Sequence, residues 1–410
     1  MAVNSLGAVW SCCSPDFGIE SIANRFEQLN PGILLAHKRY SYNGKDYIQE
    51  KKIKELQIRL PSIKKTIVFD STFDSWNLNS NYWIDFEFVS VKFDHPIWVL
   101  FSSGTTGKPK AIAHGTGGML LEQYKSHSLH QNIMNGDRFF WNTTTGWMMW
   151  NYAIGSFLCG ATLCLYDGSA NFPDIGVQWR FAKDAKINHF GNGSPMFIAS
   201  MKQNCKDVSN ENLKFIKTIG ATGSPLSVEA FKWLQKKLPS TQIISLSGGT
   251  DVCSAFIGGC PKLPVYAGFL QCNMLGASIK AWDENRKSIK GKTGELVITE
   301  PLPSMPVFFW GDENFKKYND SYFAEDQEVW THGDWIFIDE LRGVLMQGRS
   351  DATLNRNGIR IGTSEIYSVL DGIKEIKDSL IIDLNIDGSS KLILFCLLYT
   401  SDAADDLWCG

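Results

Sequence analysis

The sequence predicts an α/β protein: a large N-terminal domain of parallel α/β sheet with an antiparallel β lobe, then the start of a small α+β C-terminal domain. Three observations predict it. Between residues 139 and 246, strand-type apolar runs alternate with helix-type runs, as in strands joined by crossover helices. After Pro264 the alternation stops, and short strands set off by Gly and Pro continue to residue 347. Residues 348–362 are polar and glycine-bearing, a hinge-like stretch before one more helix and two strands.

The elements follow in order. Residues 18–29 read as a helix, and 45–65 as a charged amphipathic helix ending near Pro61. Strands are expected at 67–70 and 97–101. Strand 139–141, helix 150–158, strand 161–165 and helix 177–185 come next. Strand 187–190, helix 196–202, strand 215–219, helix 228–238 and strand 243–246 complete the alternating part. Ligands on such sheets sit beyond the carboxyl ends of strands, so the loops that follow strands hold the interest. Antiparallel strands are expected at 294–299, 335–339 and 344–347, then a helix near 364–370 and strands at 379–384 and 391–395. The domains read as 1–350, 351–396 and a tail at 397–410.

The 410 residues are 44% hydrophobic and 20% charged, an ordinary globular balance that excludes a disordered or collagen-like chain. Net charge is −3, from 40 basic and 43 acidic residues, so no global basic field for nucleic acid exists. The ten cysteines form no CxxC and the seven histidines no HExxH, which argues against zinc and thioredoxin-type sites. Scattered cysteines and an opening without a signal-peptide pattern suit a reduced, cytosolic setting. The uncharged run 139–166 carries Asn142, Asn151, Gly155 and Gly160. It reads as strand, loop, buried helix and strand rather than a membrane span.

The segment with the clearest chemistry is Ser102, Ser103, Gly104, Thr105, Thr106, Gly107, Lys108, Pro109 and Lys110, directly after a strand. The glycines let backbone approach an anion. Hydroxyls and backbone N–H groups can donate to phosphate oxygens, and the two lysines add positive charge. Pro109 stands where a Walker loop needs Ser or Thr, which weakens a P-loop kinase or GTPase reading. The bland alternative is a flexible Ser/Gly/Thr loop.

This loop resembles the phosphate-binding signature of adenylate-forming enzymes, the family of acyl-CoA synthetases, luciferases and peptide-synthetase adenylation domains. Four more segments resemble the family's motifs in the family's order. They are Gly220-Ala-Thr-Gly-Ser-Pro-Leu226, Ser247-Gly-Gly-Thr-Asp251, Thr331-His-Gly-Asp-Trp335, and Gly348-Arg-Ser-Asp351 continuing to Glu365. Segments 14–18, 42–45, 142–147 and 303–306, with Phe309-Trp310, are similar to the acetoacetate-activating members.

The resemblance implies the adenylate-forming fold and a two-step ligase reaction. A carboxylate, acetoacetate, attacks the α-phosphorus of ATP and expels pyrophosphate; the CoA thiol then attacks the acyl-adenylate. Residues 102–110, Lys108 among them, would hold the triphosphate, and Thr250 would donate to the α-phosphate. Asp251 matches an acidic position near Mg2+, as Asp where the family usually carries Glu. Gly223, Ser224 and Pro225 would contact adenine, Asp334 the ribose hydroxyls, and Arg349 ribose or phosphate. Asp351 matches the hinge, Gly358 the approach of pantetheine, and Arg360 a basic residue of the thioester-forming arrangement. Trp147 would shape the acyl channel, and Gly248 would leave room for a four-carbon keto acid. Plainer readings stand beside these: Asp251 as a turn residue, Arg349 and Asp351 as a surface ion pair, Arg360 as a solvated arginine, Trp147 as core, and Gly248 as a tight-turn glycine.

Two departures from the family are expected to matter. The family's N-terminal lobe begins well before a match to Met1, and its C-terminal Gly-Lys segment has no counterpart, since Lys391 does not match it. Residues 397–410 resemble translated adapter read-through. On this reading the parent is a competent ligase and this chain an incomplete copy. The remaining alternatives are a synthetase for another short-chain carboxylic acid and a nucleotide-binding truncation without catalysis. The sequence assigns no oligomeric state.

Overall fold

The computed structural model describes residues 1–69, 87–102, 108–350, 354–356, 359–361, 367, 370, 372–386 and 389–398. Near the start, the helix Ile19–Phe26 buries Ile22 against Leu56 and Leu60, at and just beyond the end of the helix Glu50–Arg59. The single helix expected over 45–65 is therefore shorter. Lys45–Ile48 is instead a strand paired antiparallel with Arg39–Tyr42. Asn43 and Gly44 between them take φ of 50° and 71°, the left-handed pair that a two-residue hairpin turn requires. Local turn chemistry outweighs the helix-like charge pattern there.

The alternating part folds as expected. Its five parallel strands lie in the order Gln242–Ser245, Thr218–Thr222, His189–Gly193, Arg138–Trp141 and Thr162–Leu163. The helices Met148–Gly155, Val177–Asp184, Ser194–Lys202 and Val228–Lys237 alternate with these strands along the chain. One core cluster includes Trp179, Phe190, Phe197, Ile219, Leu234 and Ile243, with Trp179 stacked on Phe190 at 4.5 Å. Burial of such large aromatics stabilises by roughly 2–3 kcal/mol each.

The strand Pro96–Ser102 lies outside that sheet. It pairs antiparallel with Lys110–Gly115, whose other edge takes Phe308–Phe309. Residues 103–109 thus join two antiparallel strands. The helix Thr116–Lys125 follows, an element the sequence hides because Gly117 and Gly118 argue against helix. A Cβ on Gly118 would meet the Pro303 carbonyl oxygen at 1.9 Å, so tertiary packing selects glycine there.

Beyond the parallel sheet, Ser247–Gly249, Ser254–Gly258 and Cys272–Asn273 form a small antiparallel sheet. A five-stranded antiparallel sheet follows, ordered Ser288–Ile289, Ile279–Trp282, Thr293–Ile298, Trp330–Asp339 and Gly343–Arg349. The expected hinge stretch is partly strand: Gly343–Arg349 runs into it, and Leu354–Arg356 pairs with Ile359–Ile361. Of the helix expected near 364–370, only Tyr367 and Leu370 are described, both helical. Ile376–Ile386 and Ser389–Leu398 form a hairpin in which Leu397 and Leu398 still pair, with Asp378 and Ile376. Among the described residues, no helix is long and apolar enough to cross a membrane.

Candidate active site

The site gathers at Asp251, one turn past the strand Ser247–Gly249. Its Oδ1 accepts from Lys110 Nζ at 3.1 Å and from the Tyr322 hydroxyl. Its main-chain carbonyl accepts from His114 Nε2 at 2.9 Å. Lys110 and His114 come from one strand, at even spacing and hence on one face. Tyr322 ends the helix Lys316–Tyr322 and stacks on Trp330 with ring centroids 3.5 Å apart. The Lys110 ammonium lies 4.8 Å from the Tyr322 ring centre, a cation–π contact.

Electrostatics follow from burial and partners. Burial alone would raise the Asp251 carboxyl, but Lys110, His332 and the Tyr322 hydroxyl more than offset it and leave it below its ordinary value. Burial lowers His114 to about 4, so the imidazole is neutral. A carbonyl can only accept, so Nε2 carries the proton. Nδ1 is then a buried acceptor with no hydrogen-bond partner.

A second carboxylate stands close by. Asp334, on the strand Trp330–Asp339, lies 3.6 Å from His332 Nε2 and 3.8 Å from Arg349 Nη1, with Arg349 its register partner on the next strand. A Cβ on Gly249 would sit 3.4 Å from the His332 ring and 3.5 Å from Asp251 Oδ2, so His332 packs between the two acids. On the neighbouring strand, Glu295 accepts from the Ser350 hydroxyl at 2.9 Å. Burial, with Asp334 adding to it, pushes Glu295 up to about 7.

At the strand Thr218–Thr222, Gly223, Ser224 and Pro225 are exposed at the carboxyl end. The Ser224 carbonyl accepts from Ser194 Oγ at 2.6 Å. The Trp147 ring lies 3.8 Å from a Cβ built on Gly223, and it also packs on the core cluster that holds Met148 and Met149. Trp147 therefore borders the 223–225 loop while Met148 and Met149 are core.

The Ser/Gly/Thr segment at 102–110 is described only at its ends. Ser102 pairs in register with Lys110, and its hydroxyl is buried with no hydrogen-bond partner among the described residues. Ser103, Gly104, Thr105, Thr106 and Gly107 lie outside the described residues, as do Asp351 and Gly358. Arg360 lies on the strand Ile359–Ile361. Lys108 is not in the Asp251 cluster; its ammonium lies 3.8 Å from Glu27, just past the helix Ile19–Phe26. Thr250 adjoins the cluster in the turn, its carbonyl accepting from the Cys253 N–H at 3.2 Å.

Gly248 is held close against the facing strand. A Cβ there would meet the Ser254 carbonyl oxygen at 2.0 Å and the Ala255 Cα at 2.5 Å. The missing side chain makes room for the facing strand at an irregular rung of the Ser247–Gly249 ladder. The sequence reading also missed Tyr322, His332, His114 and Glu295. His332 sits inside a quoted motif and could have been found there; Tyr322 and His114 carry no local signal.

Among the described residues, no group of three or more His, Cys, Asp or Glu could hold a metal. The donors fit a cation that arrives with a polyphosphate. Lys110 and Tyr322 both bond Oδ1 of Asp251, leaving Oδ2 as a hard oxygen donor. Magnesium is typically held by one or two carboxylates plus substrate phosphates.

A family model described as AMP-binding enzyme matches residues 1–306. The chain is 38% identical to an acetoacetyl-CoA synthetase of Gallus gallus, over 99% of this chain and 64% of the relative. It is also 38% identical to an acetoacetyl-coenzyme A synthetase of Rhizobium meliloti, over 97% of this chain and 63% of that one. The structure of an acetoacetyl-CoA synthetase from Streptomyces lividans superposes with TM-score 0.90 at 38% identity, covering 99% of this chain and 64% of that one. An anthranilate CoA ligase at 19% identity shares the fold, with TM-score 0.81. The chain thus spans under two thirds of the length of these acetoacetyl-CoA synthetases.

Proposed function

The chain belongs to the AMP-binding enzyme family, and from that premise we propose that it serves ATP-dependent activation of a short carboxylic acid, acetoacetate, as acyl-adenylate and then as CoA thioester. The observation that carries the proposal is the convergence of Lys110, Asp251 and Tyr322 beside Asp334 and Arg349. That arrangement suits a nucleoside polyphosphate. A carboxylate such as Asp334 can accept both ribose hydroxyls. The exposed 223–225 loop offers a flat edge for adenine beside Trp147.

In the first half-reaction, charge builds on the α-phosphate oxygens as the acid attacks. Lys110 supplies a fixed positive charge there, pre-oriented by Asp251 and Tyr322. The unpartnered Ser102 hydroxyl, opposite Lys110, would donate to the departing pyrophosphate. Thr250 would donate to the α-phosphate. Magnesium, carried in with ATP and met by Asp251 Oδ2, would neutralise phosphate charge. In the second half-reaction, Gly358 and Arg360 would serve thioester formation, with Asp351 as hinge. Acetoacetate is favoured by the likeness, along nearly the whole of this chain, to acetoacetyl-CoA synthetases of an animal and a bacterium.

The test is acid-dependent exchange of labelled pyrophosphate into ATP by the purified chain. Acetoacetate, acetate and propionate are compared, with and without magnesium. Exchange fastest with acetoacetate supports the reading. Exchange equal or faster with acetate or propionate overturns the substrate, and ATP binding with no exchange for any acid overturns ligase chemistry for this chain.

A further inference from the structure

We infer that residues 10–17 form a gauge that fixes the spacing between the strand ending at Ser102 and the loop ending at Trp147, with Cys12, Thr145 and Gly146 as positioning residues for the carboxylic acid. The inference rests on the proposed function, with Ser102 on the pyrophosphate side and Trp147 on the acyl side. At its first end the segment is fixed to the strand Pro96–Ser102. The Trp10 N–H donates to the Ile97 carbonyl at 3.1 Å, and the Val99 N–H donates to the Trp10 carbonyl at 2.9 Å. The Ser11 hydroxyl donates to the Val99 carbonyl at 2.8 Å. The chain then crosses to the loop. Cys12 Sγ donates to the Thr145 carbonyl at 2.7 Å, and Thr145 Oγ1 donates to the Cys13 carbonyl at 3.3 Å. A Cβ on Gly146 would stand 2.9 Å from the Ser14 nitrogen and 3.5 Å from Phe17 Cζ, so glycine lets the two backbones touch. Two segments singled out separately in the sequence, 14–18 and 142–147, thus meet.

The far end is held as firmly. Lys52 Nζ donates to the Pro15 carbonyl at 2.8 Å and the Phe17 carbonyl at 3.0 Å. The Arg25 guanidinium lies 5.0 Å from the Phe17 ring centre and 6.0 Å from that of Phe101. Cys13 and Phe17 pack on Ile22, Leu56 and Leu60. Burial pushes the Cys12 thiol up to about 11, so it keeps the proton it donates. Within the loop, the Trp147 N–H donates to the Thr144 carbonyl at 3.1 Å, and Trp147 directly precedes the helix Met148–Gly155. Displacing Thr145 and Gly146 therefore displaces Trp147.

Such a gauge matters because attack needs reacting atoms about 3–3.5 Å apart, and a misplacement of about 1 Å can cost roughly 100-fold. One stretch of backbone touches the strand on the phosphate side and the loop on the acyl side, so it sets their separation directly.

The test is calorimetric binding of AMP and of non-hydrolysable acetoacetyl-sulfamoyl adenosine. The full chain is compared with Gly146→Ala, Cys12→Ala, Cys12→Ser and Thr145→Val. AMP carries no acyl group and reads the nucleotide end alone. In Gly146→Ala the new Cβ meets backbone, so the loop must shift; the sulfamoyl adenosine should weaken by about 10-fold or more, and AMP by less than about 2-fold. Cys12→Ala and Thr145→Val each remove one hydrogen bond and should weaken the analogue by about 3- to 10-fold. Cys12→Ser, whose hydroxyl can donate to the same carbonyl, should restore it. Thr145→Val keeps the side-chain shape, so a Gly146→Ala chain that fails to fold leaves the test decisive. Analogue affinity unchanged in Cys12→Ala and Thr145→Val, or lost there in equal measure with AMP, overturns this inference alone. An unmodified chain that binds neither compound overturns the proposed function, and this inference with it.

Discussion

Gly248→Ala separates two accounts of one glycine. If Gly248 opens a substrate pocket, alanine there shrinks a cavity and the fold is untouched. The geometry says otherwise. The new Cβ would stand 2.0 Å from the Ser254 carbonyl oxygen, 2.8 Å from its carbonyl carbon and 2.5 Å from the Ala255 Cα. All are backbone atoms, so no side chain can swing aside, and the paired strands must part. Overpacking a tight site costs about 1–3 kcal/mol, and contact with rigid backbone puts this case at about 3 or above. At roughly 2–4 °C per kcal/mol, the midpoint falls by about 6–12 °C. Gly249→Ala is the matched control: its Cβ meets the His332 ring and Asp251 Oδ2 at 3.4–3.5 Å, ordinary contact, so its midpoint moves by at most about 3 °C. Thermal melts of the chain and both variants by circular dichroism decide it. Equal midpoints for the two variants would refute the strand-contact account and return Gly248 to the pocket.

Three further outcomes are expected. Asp251→Asn removes the carboxylate facing Lys110, so magnesium-dependent ATP affinity should fall by roughly 10- to 100-fold in calorimetry; an unchanged magnesium dependence would place the cation elsewhere. Asp334→Ala should weaken AMP by about 10-fold or more but leave 2′,3′-dideoxy-AMP unaffected, and equal losses for both would show that Asp334 does not read the ribose. His114 and His127 are held near 4 by burial, below the unfolded imidazole, so the unfolded chain takes up protons the folded chain refuses. Stability should be full above about pH 6.5 and fall steadily toward pH 4, by up to about 3 kcal/mol per histidine; a flat melting midpoint across that range contradicts neutral burial.

The alternating strands and helices were legible because each buried crossover writes its own period into the chain. The candidate site was legible in part for a related reason: Asp251 and Asp334, singled out from short motifs in the sequence, both fall in the cluster around His332, each beside a turn or a strand partner. What stayed hidden depends on three-dimensional coincidence. Nothing local distinguishes Tyr322 from any tyrosine at a helix end; stacking on Trp330 is what aims its hydroxyl at Asp251. The helix at 116–125 was hidden by glycines whose reason lies at Pro303, far along the chain. The close packing at Gly248 was hidden for the same cause, because its neighbour across the ladder is set by the turn at 250–253 and not by the residues beside it.

The Asp251 cluster shows what such coincidence accomplishes chemically. Aspartate is one methylene shorter than the glutamate expected at this position, and a shorter acid on a loop would be free to turn away. Here its Oδ1 is fixed by an ammonium and a phenol, and its main-chain carbonyl by a neutral histidine. Three contacts from two other elements leave one oxygen, Oδ2, in a set direction beside His332. On the proposed function, an arriving cation would meet an acceptor already oriented and ionised, because the same partners that fix Asp251 also hold its carboxyl below the ordinary value. The reach lost with the methylene is compatible with a water between Oδ2 and the metal, since magnesium keeps several of its waters when bound by few carboxylates. Position and protonation are therefore set by one group of residues, and on the proposed function the same Lys110 that pairs with Asp251 would be the charge offered to phosphate.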